Sequence, residues 1–335
     1  MKKLSALLGV KELSGAHVGI EIEAEGEGMT LVVSPNWRSE DDQSLRGRFP
    51  DQRHEFVSSV LPKDKIEGAI DELINLQKDA RFNFSFRTST HVHVNCTDMT
   101  PDEISTFVYI YYLMERDMMR YCGPARNNNR FCLRMVDSEF QLDILDGLME
   151  NGFRDIRVFV DEGMRYAACN LAALVKYGTL EFRGMRGSLD KDVLMNWINQ
   201  LLHLRDLAIK FGNPFSVYEA ALNDSAKFVV DCYGDRADVF ANNDSVRNLE
   251  EALSLTINIP FSYKRIVAHR VEPPNPIKKR FQLDRVVANV IPAAERDFNI
   301  AGEVNRRIAQ VLFEQNARGA EPALPANPDD LLVDF

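Results

Sequence analysis

Thr88-Ser89-Thr90-His91-Val92-His93-Val94-Asn95 is the stretch whose reading decides the fold. Polar and apolar residues alternate strictly from His91 to Cys96, the period-two signature of a β-strand. Successive strand side chains point to opposite faces, so His91, His93 and Asn95 share one face, and Val92, Val94 and Cys96 the other. The apolar face can pack on a core. The polar face presents two imidazoles about 7 Å apart, from a rise of roughly 3.3 Å per residue. That suits a metal or phosphate site, although an isolated His-x-His is equally compatible with two exposed strand histidines.

Two further stretches share this design. From His17 to Glu27, Val18, Ile20, Ile22 and Ala24 face one way and Glu21, Glu23, Glu25 and Glu27 the other. Four carboxylates on one strand face repel one another unless a cation sits among them. The plainer reading is a solvated edge strand, where acidic residues also deter aggregation. In Thr179-Leu180-Glu181-Phe182-Arg183, Thr179, Glu181 and Arg183 share a face and Leu180 and Phe182 take the core side. A short strand, His54-Glu55-Phe56-Val57-Ser58, adds the carboxylate of Glu55. If these strands neighbour one another in an antiparallel sheet, their polar faces converge on one surface. Several carboxylates with few compensating lysines need divalent cations there. Oxygen ligands suit Mg²⁺ or Mn²⁺, and an imidazole leans toward Mn²⁺. An arginine beside such a site is the usual partner of a phosphate. Acidic ligands, metal, arginine and phosphate together imply nucleotide-dependent phosphoryl transfer.

Around these strands the sequence predicts a short helix over residues 1–15 and a return strand over Met29–Ser34. A polar loop with four arginines follows over 35–53, then an amphipathic helix over Pro62–Gln77. Thr100-Pro101-Asp102-Glu103 is a capping box that starts a helix running to about Tyr121. Arg126 to Phe131 reads as a polar loop, 138–150 as a helix, 156–160 as a short strand and Tyr166–Val175 as a longer one. Ser188 is the expected cap of a helix that buries Val193, Trp197, Leu201, Leu204 and Ala208. Two more helices are expected near Ser216–Leu222 and Ser245–Leu255. The organisation expected is one catalytic domain over 1–270, a linker and helix over 271–318, and a disordered tail over 319–335.

The 335 residues carry a net charge of −10, which argues against non-specific nucleic-acid binding, leaving nucleic acid only as a substrate to be modified. Five cysteines, odd in number and without CxxC spacing, read as reduced thiols of a cytoplasmic protein. The apolar opening stops at Lys11-Glu12 without a small-residue cleavage site, so it does not read as a signal peptide. No apolar run is long enough to span a membrane.

The ordered set Glu-x-Glu, His-Glu, His-Val-His and Glu-Phe-Arg resembles the glutamine synthetase-type carboxylate–amine ligases, and among them the amidoligase family of bacteria and phages. The resemblance covers roughly residues 17–205 and rests on Val18–Glu23, Thr90–Val94 and Gly178–Arg183, with Asn170-Leu171, Ser188-Leu189 and Trp197 also fitting. It implies an α+β fold: a curved antiparallel sheet of the glutamine synthetase catalytic-domain type, with helices on the outer face. It implies that Glu21, Glu23, Glu55, His91 and Glu181 hold two or more divalent cations, and that Arg183, Glu55 and Glu181 serve catalysis. His93, Arg183 and the loop arginine Arg130 would touch ATP. ATP would convert a substrate carboxylate to an acyl phosphate, which an amine would attack to give an amide or isopeptide bond. The sequence departs from the family in its lead into the histidine strand, Phe86-Arg87-Thr88-Ser89-Thr90, where a glycine-rich segment is common. Residues beyond about 215 match nothing in the resemblance. The arginines of 35–53 and 126–134 suit either an anionic substrate or ATP. Two other classes stay open: a metal-dependent hydrolase built on the same His/Glu cluster, and a non-catalytic scaffold descendant.

Overall fold

Strand β1 (His17–Glu27) buries Val18, Ile20, Ile22 and Ala24 and turns its glutamates to the other face, as the alternation requires. Its neighbours are β3 (Arg53–Ser58) on one side and β6 (Ser89–Asn95) on the other. Strand β8 (Thr179–Arg186) pairs with β6, β7 (Cys169–Asn170) with β8, and β2 (Trp37–Glu40) with β3. The order is β2-β3-β1-β6-β8-β7, with β4 (Leu61–Pro62) and β5 (Arg81–Phe82) also paired to β1. Among the described residues these strands all pair antiparallel, in a mixed α+β architecture. This computed structural model describes residues 2–46, 52–127, 129–137, 147, 166–261 and 263–264, all within the unit Met1–Glu272.

The described helices are α1 (Leu4–Leu8), α2 (Ile66–Leu76), α3 (Pro101–Cys122), α4 (Ala173–Tyr177), α5 (Lys191–Phe211), α6 (Pro214–Asn223), α7 (Ser225–Tyr233), α8 (Ala237–Phe240) and α9 (Ser245–Leu255). Helix α3 begins with the expected capping box. The Glu103 N–H donates to the Thr100 hydroxyl at 3.3 Å and the Thr100 N–H to the Glu103 carboxylate at 2.7 Å. This helix lays Phe107 and Tyr111 on Phe182 of β8, with ring centroids 5.3 and 4.9 Å apart. It approaches closely because Gly184 lacks a side chain: a Cβ there would lie 2.7 Å from Met119 Sδ. Helix α5 is tied to the end of β6 by buried Arg205, which donates to Asn95 O at 3.0 Å and to Asp98 at 2.6 Å. With helices on the sheet's apolar face, the face bearing Glu21, His91 and Glu181 is left for chemistry.

Several local expectations are corrected. Residues 35–53 are not all loop. Trp37 is buried, and its indole N–H donates to Ala69 O at 2.6 Å, which pins β2 against α2. Met29–Ser34 forms no strand; it contributes only the isolated bridge Val33–Arg38, and the partner of β1 is β3. Helix α1 stops at Gly9, which takes the left-handed conformation, well before Gly15. The strand expected over 166–175 shrinks to β7, because Ala173–Tyr177 winds into α4 and ends at left-handed Gly178. Asp190, not Ser188, caps α5, accepting from the Val193 N–H at 3.1 Å. Helices α7 and α8 were not expected at all. The expected helix at 138–150 (residue 147 apart), the strand at 156–160, the linker and helix over 271–318 and the tail over 319–335 lie outside the described residues.

Candidate metal and phosphate site

The strand registers bring the polar faces together. Glu21 is opposite His91 and Gly19 opposite His93 between β1 and β6. Glu23 is opposite Glu55 between β1 and β3, and His93 is opposite Glu181 between β6 and β8. Residues opposite one another in a sheet share a face. Between the pairs Thr90/Met185 and Val92/Phe182, β8 carries one residue more than β6. This bulge holds Arg183 and Gly184 opposite His91, and the Arg183 side chain, on the same strand face as Glu181, reaches the cluster.

The side chains interlock. His91 Nδ1 lies 3.1 Å from Glu21 Oε2, 3.4 Å from Arg183 Nη1 and 3.7 Å from Glu181 Oε1. Its Nε2 lies 2.7 Å from the Ser89 hydroxyl, which also donates to Glu23. His93 Nδ1 lies 3.0 Å from the Thr179 hydroxyl, leaving Nε2 3.4 Å from Glu21 and 3.9 Å from Glu181. Arg183 donates to Glu181 Oε1, and the Asn170 amide donates to Glu181 Oε2 at 2.7 Å. Two sets of ligand atoms result, each within 4.8 Å: Glu21, His93 and Glu181, and Glu21, Glu55 and His91. Glu21 is common to both. Glu23 belongs to neither set and stands behind His91, 3.7 Å from its Nε2.

Electrostatics favour an added cation. Burial, reinforced by the charges of Glu21 and Glu23, pushes the Glu55 carboxyl up to about 8. Burial works against the ionised form of Glu21 too, yet hydrogen bonds from His91 and His93 outweigh it and hold this carboxyl far below the usual range. Burial likewise opposes ionisation of Glu181, but the charges of Arg183, His91 and His93 prevail and lower it. Crowded carboxylates, one of them forced to keep a proton, with imidazole nitrogens aimed among them, form a donor set that fits hard divalent cations.

This proton has a measurable consequence. Without metal, the fold holds a proton on Glu55 more tightly than the unfolded chain does, from the ordinary carboxyl range up to about pH 8. Stability from this group is therefore greatest at low pH and falls as pH rises to 8. Glu115, buried in α3 and pushed up to about 8 by burial, acts in the same direction. In EDTA the melting temperature is expected to drop between pH 5 and 8, and to drop less in Glu55→Gln. An equal drop in that variant would exclude Glu55 as a source.

Arg130 is not part of this gathering. Its guanidinium lies 4.9 Å from the Phe131 ring centroid, and it lines a separate recess with Phe86, Arg87 and Asn129. Ser89, Thr179 and Asn170 are site residues that were not assigned a role from sequence. Ser89 and Thr179 stand two positions from His91 and Glu181, so the same period-two rule marks them. Asn170 carries no such mark, because β7 is only two residues long. Glu21 and His93 also line a cleft of about 490 Å³ that includes Gly19, Val57 and Tyr177, and so gives the cluster access. The Tyr177 ring meets His93 edge-on at 5.5 Å.

All five cysteines are buried and unpaired. Among the described residues no helix is long and apolar enough to cross a membrane. A search of the curated proteins returns no match. A family model described as "Putative amidoligase enzyme" matches residues 22–204, more than half of the chain. The matched span opens one residue after Glu21 and takes in every other residue of the two ligand sets. The chain therefore belongs to the amidoligase family.

Proposed function

We propose that this amidoligase-family chain is an ATP-dependent carboxylate–amine ligase with a site of the glutamine synthetase type. The observation that carries this reading is the convergence of Glu21, Glu55, His91, His93, Glu181 and Arg183 on one sheet face. Glu21, His93 and Glu181 would hold one divalent cation, and Glu21, Glu55 and His91 a second. Mg²⁺ or Mn²⁺ there would neutralise the phosphates of ATP and polarise the transferred group. In the reaction, a carboxylate oxygen of the acid attacks the terminal phosphorus and ADP leaves. The amine then attacks the acyl carbon, phosphate leaves and the amide remains. Arg183, anchored to Glu181 and close to His91, offers a fixed positive charge where the transferred phosphoryl group gathers negative charge. Asn170 and Thr179 orient Glu181 and His93 from behind. The cleft beside Gly19, Val57 and Tyr177 is wide and apolar enough for the nucleoside.

The acidic face repels a triphosphate unless cations intervene. Calorimetry is expected to show ATP binding with Mg²⁺ and at least about a hundredfold weaker binding in EDTA, the loss of roughly 2.7 kcal/mol. Undiminished affinity in EDTA would contradict the converging-carboxylate arrangement. ADP release that depends on metal and on both an acid and an amine would establish the ligase. Metal-dependent product release without ATP would establish the hydrolase instead.

A further inference from the structure

Glu23 lies beside the cluster yet enters neither ligand set. It is buried, so its carboxylate must find partners inside the protein. Extending the β1–β6 register one pair beyond Ile22 and Thr90 sets it opposite Ser89, on the face that carries Glu21 and His91. The Ser89 hydroxyl bridges Glu23 and the imidazole. It donates to Glu23 Oε2 and lies 2.7 Å from His91 Nε2. The other oxygen of Glu23 lies 3.7 Å from the same ring nitrogen. Glu23 therefore meets the imidazole from the Nε2 side, whereas Glu21, Glu181 and Arg183 meet it at Nδ1.

A hydroxyl has a single proton to give. Ser89 gives its proton to Glu23, so towards His91 it can only accept, and Nε2 must carry a ring proton. In a neutral imidazole this leaves Nδ1 bare. Nδ1 is the nitrogen that faces Glu21 and Glu181, and a metal ligand needs its lone pair. Ligating histidines typically donate their second N–H to a carboxylate, a carbonyl or water, which fixes the tautomer and strengthens the ligand. Here the carboxylate acts through a serine. His93 is held the other way round, with Nδ1 on the Thr179 hydroxyl and Nε2 towards Glu21 and Glu181. The two rings thus turn opposite nitrogens to the shared Glu21. Glu23, Ser89 and His91 are all buried, so bulk water does not compete for these bonds. Ser89 belongs to the lead Phe86–Thr90 in which the chain departs from the family, and a glycine there would offer no hydroxyl.

We propose that Glu23 and Ser89 are positioning residues: Glu23 holds the Ser89 hydroxyl, and Ser89 holds His91 in the tautomer whose Nδ1 takes the metal. Glu23, which the family resemblance makes a metal ligand, acts through His91 instead. This deepens the metal-site part of the ligase reading and rests on it.

Two measurements on the full chain test this, and neither needs turnover. Long-range proton–nitrogen NMR spectra of isotope-labelled histidines at saturating Mg²⁺, assigned with His91→Gln and His93→Gln, should show His91 protonated at Nε2 and His93 at Nδ1. Calorimetry with Mn²⁺ alone should show affinity lowered about ten- to a hundredfold in Ser89→Ala, the usual cost of losing a group that orients a metal ligand. Glu23→Ala should cost a similar factor, and the double variant no more than the larger single loss, because one relay is broken only once. Glu23→Gln, whose amide oxygen can still accept from Ser89, should lose less than Glu23→Ala. A His91 ring bare at Nε2, or unchanged Mn²⁺ affinity in Ser89→Ala, overturns the proposal. Single losses that multiply in the double variant also overturn it, and make Glu23 a ligand in its own right. Should Ser89→Ala not fold, the wild-type spectrum still decides. Absence of Mn²⁺ binding to the wild type would overturn this proposal and the metal site together. Failure of the ligase reading alone is separate: it would appear as no ADP from any acid and amine, with the Ser89 dependence of Mn²⁺ binding still present.

Discussion

Replacing Glu181 with glutamine is expected to lower turnover at least about a hundredfold, since loss of a group that only orients a metal ligand typically costs about ten- to a hundredfold and Glu181 stands in a ligand set itself. The side chain keeps its shape but loses the charge that links three features of the site. It accepts from Asn170, it anchors Arg183, and it closes the ligand set with Glu21 and His93. Glutamine can still accept one hydrogen bond from Arg183, so the fold should hold. The backbone pairing of β8 with β6 does not involve the side chain. Circular dichroism and the metal-free melting temperature should stay near the wild type while metal-dependent ADP formation collapses. A near-wild-type rate would make the Glu181–Arg183 strand a structural element only.

The second large effect concerns the two histidines. The resemblance assigns only His91 to metal and His93 to phosphate, whereas the geometry puts each imidazole in its own set around shared Glu21. His93 has the disposition of a ligand: Nδ1 rests on Thr179 and Nε2 faces two carboxylates. Both His91→Ala and His93→Ala are therefore expected to raise the Mn²⁺ concentration for half activity at least about tenfold, with partial rescue by excess metal. Metal titrations at saturating ATP, paired with ATP titrations at saturating metal, separate the roles. A metal shift confined to His91→Ala, with His93→Ala raising only the ATP requirement, would return His93 to the phosphate. No shift in either variant would mean that neither imidazole is a ligand.

The sequence alone determined which side chains face the chemistry. Strand side chains alternate with a period of two, so burying Ile20, Ile22, Val92, Val94, Leu180 and Phe182 forces Glu21, Glu23, His91, His93, Glu181 and Arg183 onto the opposite face. Local capping chemistry likewise made the start of α3 legible, because Thr100 and Glu103 satisfy each other within one turn.

Relations between distant segments were decided only by the tertiary structure. The register sets Glu21 against His91 and Glu23 against Glu55, and this depends on β3 and β6 docking on either side of β1. No local rule names that partner, and Met29–Ser34 looked equally suitable. Trp37 makes a strand of an apparently polar loop because Ala69, 32 residues away, accepts its indole proton. The Tyr166–Val175 segment is apolar enough for a strand, and position beside β8 leaves room for only two paired residues before it winds into α4. The arginines divide in the same way: Arg126 turns inward to hold the carbonyls of β8, while Arg130, four residues on, stays in the recess. Both carry the same charge. The difference lies in which of them the bulge of β8 leaves backbone acceptors for, and that is a property of the folded sheet.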